Sequence, residues 1–332
     1  MHLLGQKCAI CACKTTGFHY GVPSCNACKT FFKRCLNSKK FRKCVNGGAC
    51  PQNSIDCRFC RFQQCIRSGM MAYFSENIRK SQLQNSDNLS LLLQKLSIMD
   101  SARKNLFLNY QLSDDVGLND VISSSSVHYT PKPVDFSNTF YDWVVIDLVT
   151  TLDFMKRQEF VKFLAPDDVR TFLLTSFFQC ATFSSAVRCS GENIMSFPGG
   201  VDIFPFKMSS LNPKLLQKIR SELVERVNAL KMTSEEFLLL TLIFICNSVN
   251  NNLSESGRSF LGSYQKIYSS ALLQYTMITH RQAGPSRFQD LLSLCHVLNT
   301  TLEGMGCVAH LFRIKHPAVN RKQLYQDIQH LF

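Results

Sequence analysis

Eight cysteines near the start of the chain constrain its fold more than any other feature. Cysteines two residues apart present both thiolates to one metal ion, and four thiolates complete the tetrahedron that structural zinc prefers. The two sets are Cys8, Cys11, Cys25 and Cys28, then Cys44, Cys50, Cys57 and Cys60. Because four thiolates leave no coordination position open, the spacing predicts two structural Zn²⁺ ions and no catalytic metal.

Three further cysteines, Cys13, Cys35 and Cys65, are surplus to these sets. Cys13 could compete as a ligand and His19 could replace one, but both are interpreted as bystanders. A secreted disulfide framework is the alternative. Against it, the first seven residues lack the apolar core of a signal peptide. The five later cysteines stand singly in apolar segments, as buried thiols do, so metal binding in a reducing compartment is favoured.

Positive charge is concentrated in the same part of the chain. Residues 1–74 hold twelve basic side chains and one acid, Asp56, which leaves only +2 of the total +13 for the remaining 258 residues. This asymmetry indicates a polyanionic partner for the first part. No apolar run of eighteen charge-free residues occurs, so no membrane span is expected.

The segment from Cys25 to Cys35 is predicted to be a helix that starts at the metal. Phe31, Phe32 and Cys35 share one helical face and are expected to be buried. The side chains predicted to contact double-stranded DNA are Asn26, Lys29, Lys33 and Arg34, with Arg58 and Arg61 from the later cysteine segment. A helix fits the major groove, where Lys or Arg can donate to guanine and Asn can pair with adenine.

Four basic residues between the two cysteine sets have a simpler interpretation. They are Lys39, Lys40, Arg42 and Lys43. We expect them to contact phosphates, which positions a protein on DNA without reading its sequence.

The rest of the chain divides into a linker and a helical part. Residues 75–138 are predicted to be a hinge with one helix at 88–110, followed by a Ser- and Pro-containing loop from 113 to 138. Residues 139–332 are predicted to be helical, including helices at about 255–281, 285–314 and 320–331. Within them, Thr233 with Glu236 resembles a capping box.

The motifs resemble one family, the nuclear hormone receptors, in its nematode branch. Residues 25–34 are similar to its recognition helix, and residues 57–70 to its second zinc knuckle and the following helix. Residues 152–174 resemble, with lower specificity, the signature of its ligand-binding domain.

The resemblance implies a small two-zinc DNA-binding module at 1–74, then an all-α, three-layer ligand-binding domain at 139–332. It implies a nuclear, non-enzymatic, sequence-specific regulator of RNA polymerase II transcription. Its partners would be double-stranded DNA, coregulator proteins, a small lipophilic ligand and a homo- or heterodimeric receptor. Phe154, Met155, Phe172, Phe177 and Phe178 could line a ligand pocket or be plain core. In the coactivator groove, Lys156 and Asp327 match the family's lysine and acid.

Three departures from the family pattern stand out. The loop from Cys50 to Cys57 is about three residues shorter than usual, and residues 45–49 lack the charges that often pair in dimers. Gln329 and Asp327 stand where an apolar residue and Glu are expected. These features weigh against dimerisation through the loop and predict a weak charge clamp.

Two other function classes compete with this interpretation. A zinc-scaffolded interaction module, such as a ubiquitin-ligase adaptor or LIM-like platform, also uses paired cysteines but needs no basic helix. An enzyme with a zinc regulatory head is disfavoured, because residues 139–332 carry neither a Gly-rich phosphate loop nor a catalytic constellation. Histidines 280, 296, 310 and 316 are scattered on helical segments.

Overall fold

A computed structural model describes most of the chain in two connected parts. The described residues are 7–15, 17–20, 22–36, 44–48, 50–51, 56–70, 82–124, 127–133, 136–204, 212–247, 252–315 and 323–329. None of the helices in these ranges is both long enough and apolar enough to cross a membrane.

The first part is a small module of two helices and a short hairpin. Its elements are β1 (Phe18–His19), β2 (Val22–Pro23), α1 (Asn26–Leu36) and α2 (Arg58–Arg67). The Phe32 ring of α1 stacks on Phe62 of α2 with centroids 5.6 Å apart. Phe32 and Cys35 are fully buried as predicted, whereas Phe31 is only partly buried. With so few apolar side chains, such a module depends on metal sites for stability.

The second part is built almost entirely from helices. They are α3 (Gln82–Asn109), α4 (Leu118–Ser123), α5 (Phe140–Lys156), α6 (Pro166–Arg188), α7 (Pro213–Leu230), α8 (Ser234–Ile245), α9 (Glu255–His280), α10 (Gly284–Lys315) and α11 (Gln323–Gln329). Helices α6 and α8 lie in the middle, between α3 and α5 on one side and α7, α9 and α10 on the other. Every residue of α8 from Glu236 to Ile245 is buried, as a central helix requires.

Two short hairpins complete this part. Strand β3 (Tyr110–Leu112) pairs antiparallel with β4 (Tyr129–Pro131), and β5 (Ser196–Phe197) pairs with β6 (Val201–Asp202). The turn of the second hairpin places Gly199 and Gly200 at positive φ, where glycine is favoured.

Local sequence signals fixed several helix starts. Thr233 and Glu236 form the predicted capping box at α8, and Thr139 with Asp142 forms another at α5. Pro166 occupies the first turn of α6.

The prediction of a loop from 113 to 138 was wrong. This segment contains α4 and β4. A six-residue helix is too short to be stable from propensity alone, so its partners elsewhere in the fold decide its structure.

The two parts contact each other through α2. The Phe62 ring lies 4.7 Å from the Phe163 ring, and Gln63 Nε2 donates to the Phe163 carbonyl at 3.4 Å. Helix α2 also packs on α9. The module therefore buries an apolar side chain against the helical part while α1 remains on the outside.

Candidate metal centres and nucleic-acid interface

The second cysteine set comes together as its spacing predicts. The thiols of Cys44, Cys50, Cys57 and Cys60 lie within 4.8 Å of one another. Cys57 precedes α2 and Cys60 lies in its first turn, so the helix start positions one pair. The Cys44 Sγ lies 3.6 Å from that of Cys50 and 3.5 Å from that of Cys60.

At the first site the structure brings together Cys8, Cys11, Cys13 and Cys25, again within 4.8 Å. Cys13 joins this group although its side chain is exposed. Cys28 is fully buried and lies next to it, with its backbone N–H donating to Cys25 Sγ at 3.4 Å. Five cysteines therefore converge on the first site, and Cys28 as the fourth ligand stays a prediction.

Both clusters fit zinc. Four sulfurs at the usual Zn–S distance form a tetrahedron with edges of about 3.8 Å. The sulfur–sulfur distances of 3.3 Å between Cys11 and Cys13, 3.7 Å between Cys11 and Cys25, and 3.5–3.6 Å around Cys44 are close to that value. The module is thus a carrier of two structural zinc ions.

In each cluster the surroundings of one cysteine lower its thiol pKa. Burial opposes ionisation of Cys25, but hydrogen bonds from the Cys28 amide and from neighbouring thiols lower its pKa to about 6. Burial also opposes ionisation of Cys44. Hydrogen bonds from the Gly48 and Asn46 amides and from the thiols of Cys60 and Cys50 outweigh it and lower the pKa of Cys44 to about 7. Each site therefore holds a thiolate near neutral pH, ready for a metal ion.

The predicted DNA-contacting residues of α1 lie on one side of the module. Asn26, Lys33 and Arg34 are exposed and Lys29 is half-buried. An open cleft of about 660 Å³ runs beside them, lined by Asn26, Ala27, Thr30, Phe31, Arg34, Arg58 and Arg61. Since no acidic residue occurs in α1, this face of the helix is basic. Lys39, Lys40, Arg42 and Lys43 lie outside the described residues.

Arg58 and Arg61 differ in their surroundings. Arg58 is exposed at the start of α2. Arg61 is half-buried, donates through Nη2 to Cys28 Sγ at 3.3 Å, and lies 4.4 Å over the Phe31 ring. Arg61 thus joins α2 to the first metal site as well as facing the cleft.

Lys156 and Asp327 both contact α4. Lys156 donates to the carbonyls of Val121 and Ser124 at its end, and Asp327 accepts from the Leu118 amide at its start. Burial lowers the pKa of Lys156. The apolar residues of α4 were missed from sequence, although Leu118, Val121 and Ile122 carried a helical i, i+3, i+4 spacing.

The aromatic residues considered for a ligand pocket lie in the main core. Phe154, Met155, Phe172 and Phe177 are buried, and the Phe177 and Phe178 rings are 4.0 Å apart. A cavity of about 850 Å³ lies elsewhere, between α6, α8, α9 and α10, with Phe244, Gln265 and Cys295 among its lining residues.

This combination of a two-zinc, basic module and a helical domain defines a class of zinc-dependent DNA-binding regulators. Residues 6–72 match the family model for the double treble clef zinc finger, C4 type. Residues 129–314 match the ligand-binding domain of nuclear hormone receptor.

Individual relatives agree with both matches. Nuclear hormone receptor family member nhr-27 of Caenorhabditis elegans is 37% identical, over 97% of this chain and 92% of that protein. Member nhr-9 of the same organism is 34% identical, over 97% and 96%.

The chain belongs to the nuclear hormone receptor family. It is a ligand-regulated type of transcription factor with a DNA-binding and a ligand-binding domain. The alternative of a zinc-scaffolded adaptor is not favoured. Members of this family generally lack catalytic activity.

Proposed function

We propose that this protein acts in the nucleus as a sequence-specific DNA reader, with α1 lying in the major groove. The observation that carries the proposal is the exposed basic face of α1 beside two zinc sites. In this position Asn26, Lys29, Lys33 and Arg34 reach base edges, where hydrogen bonds can distinguish one base pair from another.

Arg58 and Arg61 have different proposed roles. Arg58, exposed at the start of α2, contacts the phosphate backbone and so fixes the orientation of the module. Arg61 holds α1 against α2 through Cys28 and Phe31 while adding positive charge to the cleft.

The test is a binding assay on duplexes selected from a random pool. Lys29→Ala should cost about 1–3 kcal/mol on the selected duplex and relax the base preference. Affinity should fall as salt rises, because binding releases counterions from phosphates. Lys218→Ala removes the same charge from an exposed position on α7 and should leave affinity unchanged. Equal losses on selected and scrambled duplexes would make Lys29 a phosphate contact only.

We propose that the helical domain binds a coregulator protein and a small ligand while the zinc module binds DNA. Lys156 and Asp327 would hold a coregulator helix, and a small lipophilic ligand would bind inside the domain. Native mass spectrometry of the purified full chain tests the ligand, since a bound lipid adds a fixed mass. A homo- or heterodimer would appear as a doubled or mixed mass in the same spectrum. We also propose the boundaries 1–74, 75–138 and 139–332 for the three regions, with α3 and α4 of the middle region packed against helices of the last one.

A further inference from the structure

Helix α4 is held at both ends by the two residues expected to hold a coregulator helix. At its C-terminal end, Lys156 Nζ donates to the Val121 carbonyl at 2.8 Å and to the Ser124 carbonyl at 2.6 Å. At its N-terminal end, Asp327 Oδ2 accepts from the Leu118 amide at 2.8 Å. A cation at the C-terminus and an anion at the N-terminus both complement the helix dipole.

The apolar face of α4 points into the body of the domain. Val121 is 1% and Leu118 5% exposed, and Ile122 is half-buried. They belong to the same apolar cluster as residues of the three surrounding helices, namely Leu152 and Met155 of α5, Leu173 of α6 and Leu324 of α11. Leu118, Val121 and Ile122 stand at positions i, i+3 and i+4, the pattern by which an amphipathic helix fills an apolar groove.

Polar contacts from α6 and α11 fix the position of α4. Arg170 of α6 donates to Asn119 Oδ1 at 2.7 Å. The backbone N–H of Gln323 in α11 donates to Asp115 Oδ1 at 3.0 Å, and its side-chain Nε2 donates to Asp327 Oδ1 at 2.7 Å. The first residue of α11 thus binds both the segment before α4 and the carboxylate that caps it.

A helix of six residues does not persist by itself in water, because nucleation costs more than so few hydrogen bonds return. Its sequence neighbours are polar, with serines at 124–126 on one side and Asp114 and Asp115 on the other. Packing against α5, α6 and α11 therefore supplies the free energy that keeps α4 folded.

We propose that α4 is an internal occupant of the helix-docking groove of α5, α6 and α11, and that it must leave before a coregulator binds there. The coregulator segment would be a short amphipathic helix with apolar side chains at i, i+3 and i+4, capped by Lys156 and Asp327. This inference rests on the coregulator role proposed above for these two residues.

Tethering makes a weak internal helix an effective competitor. A segment on the same chain is present at a high effective concentration, in the millimolar range for short linkers. If α4 fills the groove in 90–99% of molecules, the apparent affinity of an external helix falls by about tenfold to a hundredfold.

The experiment measures binding of a fluorescein-labelled synthetic helical peptide, with leucines at i, i+3 and i+4, to the zinc-loaded full chain. The wild type should bind weakly, and Leu118→Ala/Val121→Ala should bind at least tenfold more tightly. Ser123→Ala, on the exposed face of α4, should match the wild type. Adding Lys156→Ala to the double variant should remove the gain.

Hydrogen exchange on the wild type provides a second measurement that needs no variant to fold. A saturating concentration of the peptide should remove amide protection from residues 118–123 while α5 stays protected. Peptide binding with unchanged protection of α4 would overturn the inference.

The remaining outcomes separate this inference from the proposed function. Equally tight binding by the wild type and the double variant overturns only the occupancy by α4. A double variant with unprotected α4 that binds no peptide overturns the coregulator groove itself and the inference with it. DNA affinity of the same variants reports on the DNA-reading proposal independently.

Discussion

Arg61 shows how one side chain can link two metal-anchored helices. It lies on α2, donates to the Cys28 sulfur of α1 and covers the Phe31 ring. Burial of Cys28 and the neighbouring Cys11 and Cys8 thiols raise the pKa of Cys28, and Arg61 opposes them. Cys13 and Cys28 both approach the first cluster, so the spacing of the cysteines does not by itself decide which of the two is the fourth ligand.

The two cysteines give a direct prediction at the residue scale. Cys28→Ser should lower the zinc content from two ions to one per chain, because Cys28 lies buried in the first turn of α1 and forms a knuckle with Cys25. Cys13→Ser should retain two ions, since Cys13 is exposed. Zinc stoichiometry by atomic emission decides between them, and the reverse result would make Cys13 the ligand.

At the scale of elements, Glu236 connects the start of α8 to α10. It accepts from the Thr233 amide at 2.9 Å and from Arg287 Nη2 at 2.6 Å, while its side chain is fully buried. Burial alone would raise the pKa of Glu236, but Arg287, the Thr233 amide and His280 lower it. The capping box was evident from sequence, whereas the ion pair was not, because Arg287 is fifty-one residues away.

Glu236→Gln should therefore destabilise the domain at pH 7 by about 1.5–3 kcal/mol, because the half-buried Arg287 loses its charged hydrogen-bond partner. Because the pKa of Glu236 is lower when folded, its contribution is present above its unfolded value of about 4.3 and is lost as pH falls through the folded value. Denaturant unfolding between pH 3 and 7 measures this. Glu235→Gln, next to it and only half-buried, should have a much smaller effect.

Helix α4 gives the opposite lesson at the same scale. Its residues lie in a Ser- and Pro-containing stretch that predicts a loop, yet its structure is decided by Lys156 and Asp327, thirty-five and more than two hundred residues away. Contacts between residues so far apart cannot be read from the sequence, and six residues are too few to show a clear helical periodicity. By contrast, α9 and α10 are long enough that their predicted bounds were nearly correct.

For the whole molecule, the module has its own zinc sites, and the contact between Phe62 and Phe163 joins it to the helical part. The sequence predicted two parts from charge and cysteine content, but the packing of α2 on α9 was not foreseen. Since the module has its own metal sites and the helical part its own core, their stabilities should differ in their dependence on zinc.

A chelator should unfold the module and leave the helical domain intact. Amide protection in residues 58–66 should disappear, while α5, α6 and α8 keep theirs, because only the module draws folding free energy from metal. Hydrogen exchange with mass spectrometry measures both regions in one sample, and added zinc should restore the protection. Retained protection of α2 without metal would contradict this.

The sequence by itself determined the two-zinc module, the basic helix and the caps of the long helices. Cysteine spacing, charge and helical periodicity are patterns among residues close together in the chain, so they can be recognised from the sequence. Only the tertiary structure decided that Cys13 approaches the first site, that Arg287 pairs with Glu236, and that α4 lies between Lys156 and Asp327. These arrangements depend on side chains far apart in sequence, whose meeting is fixed by packing of the whole core.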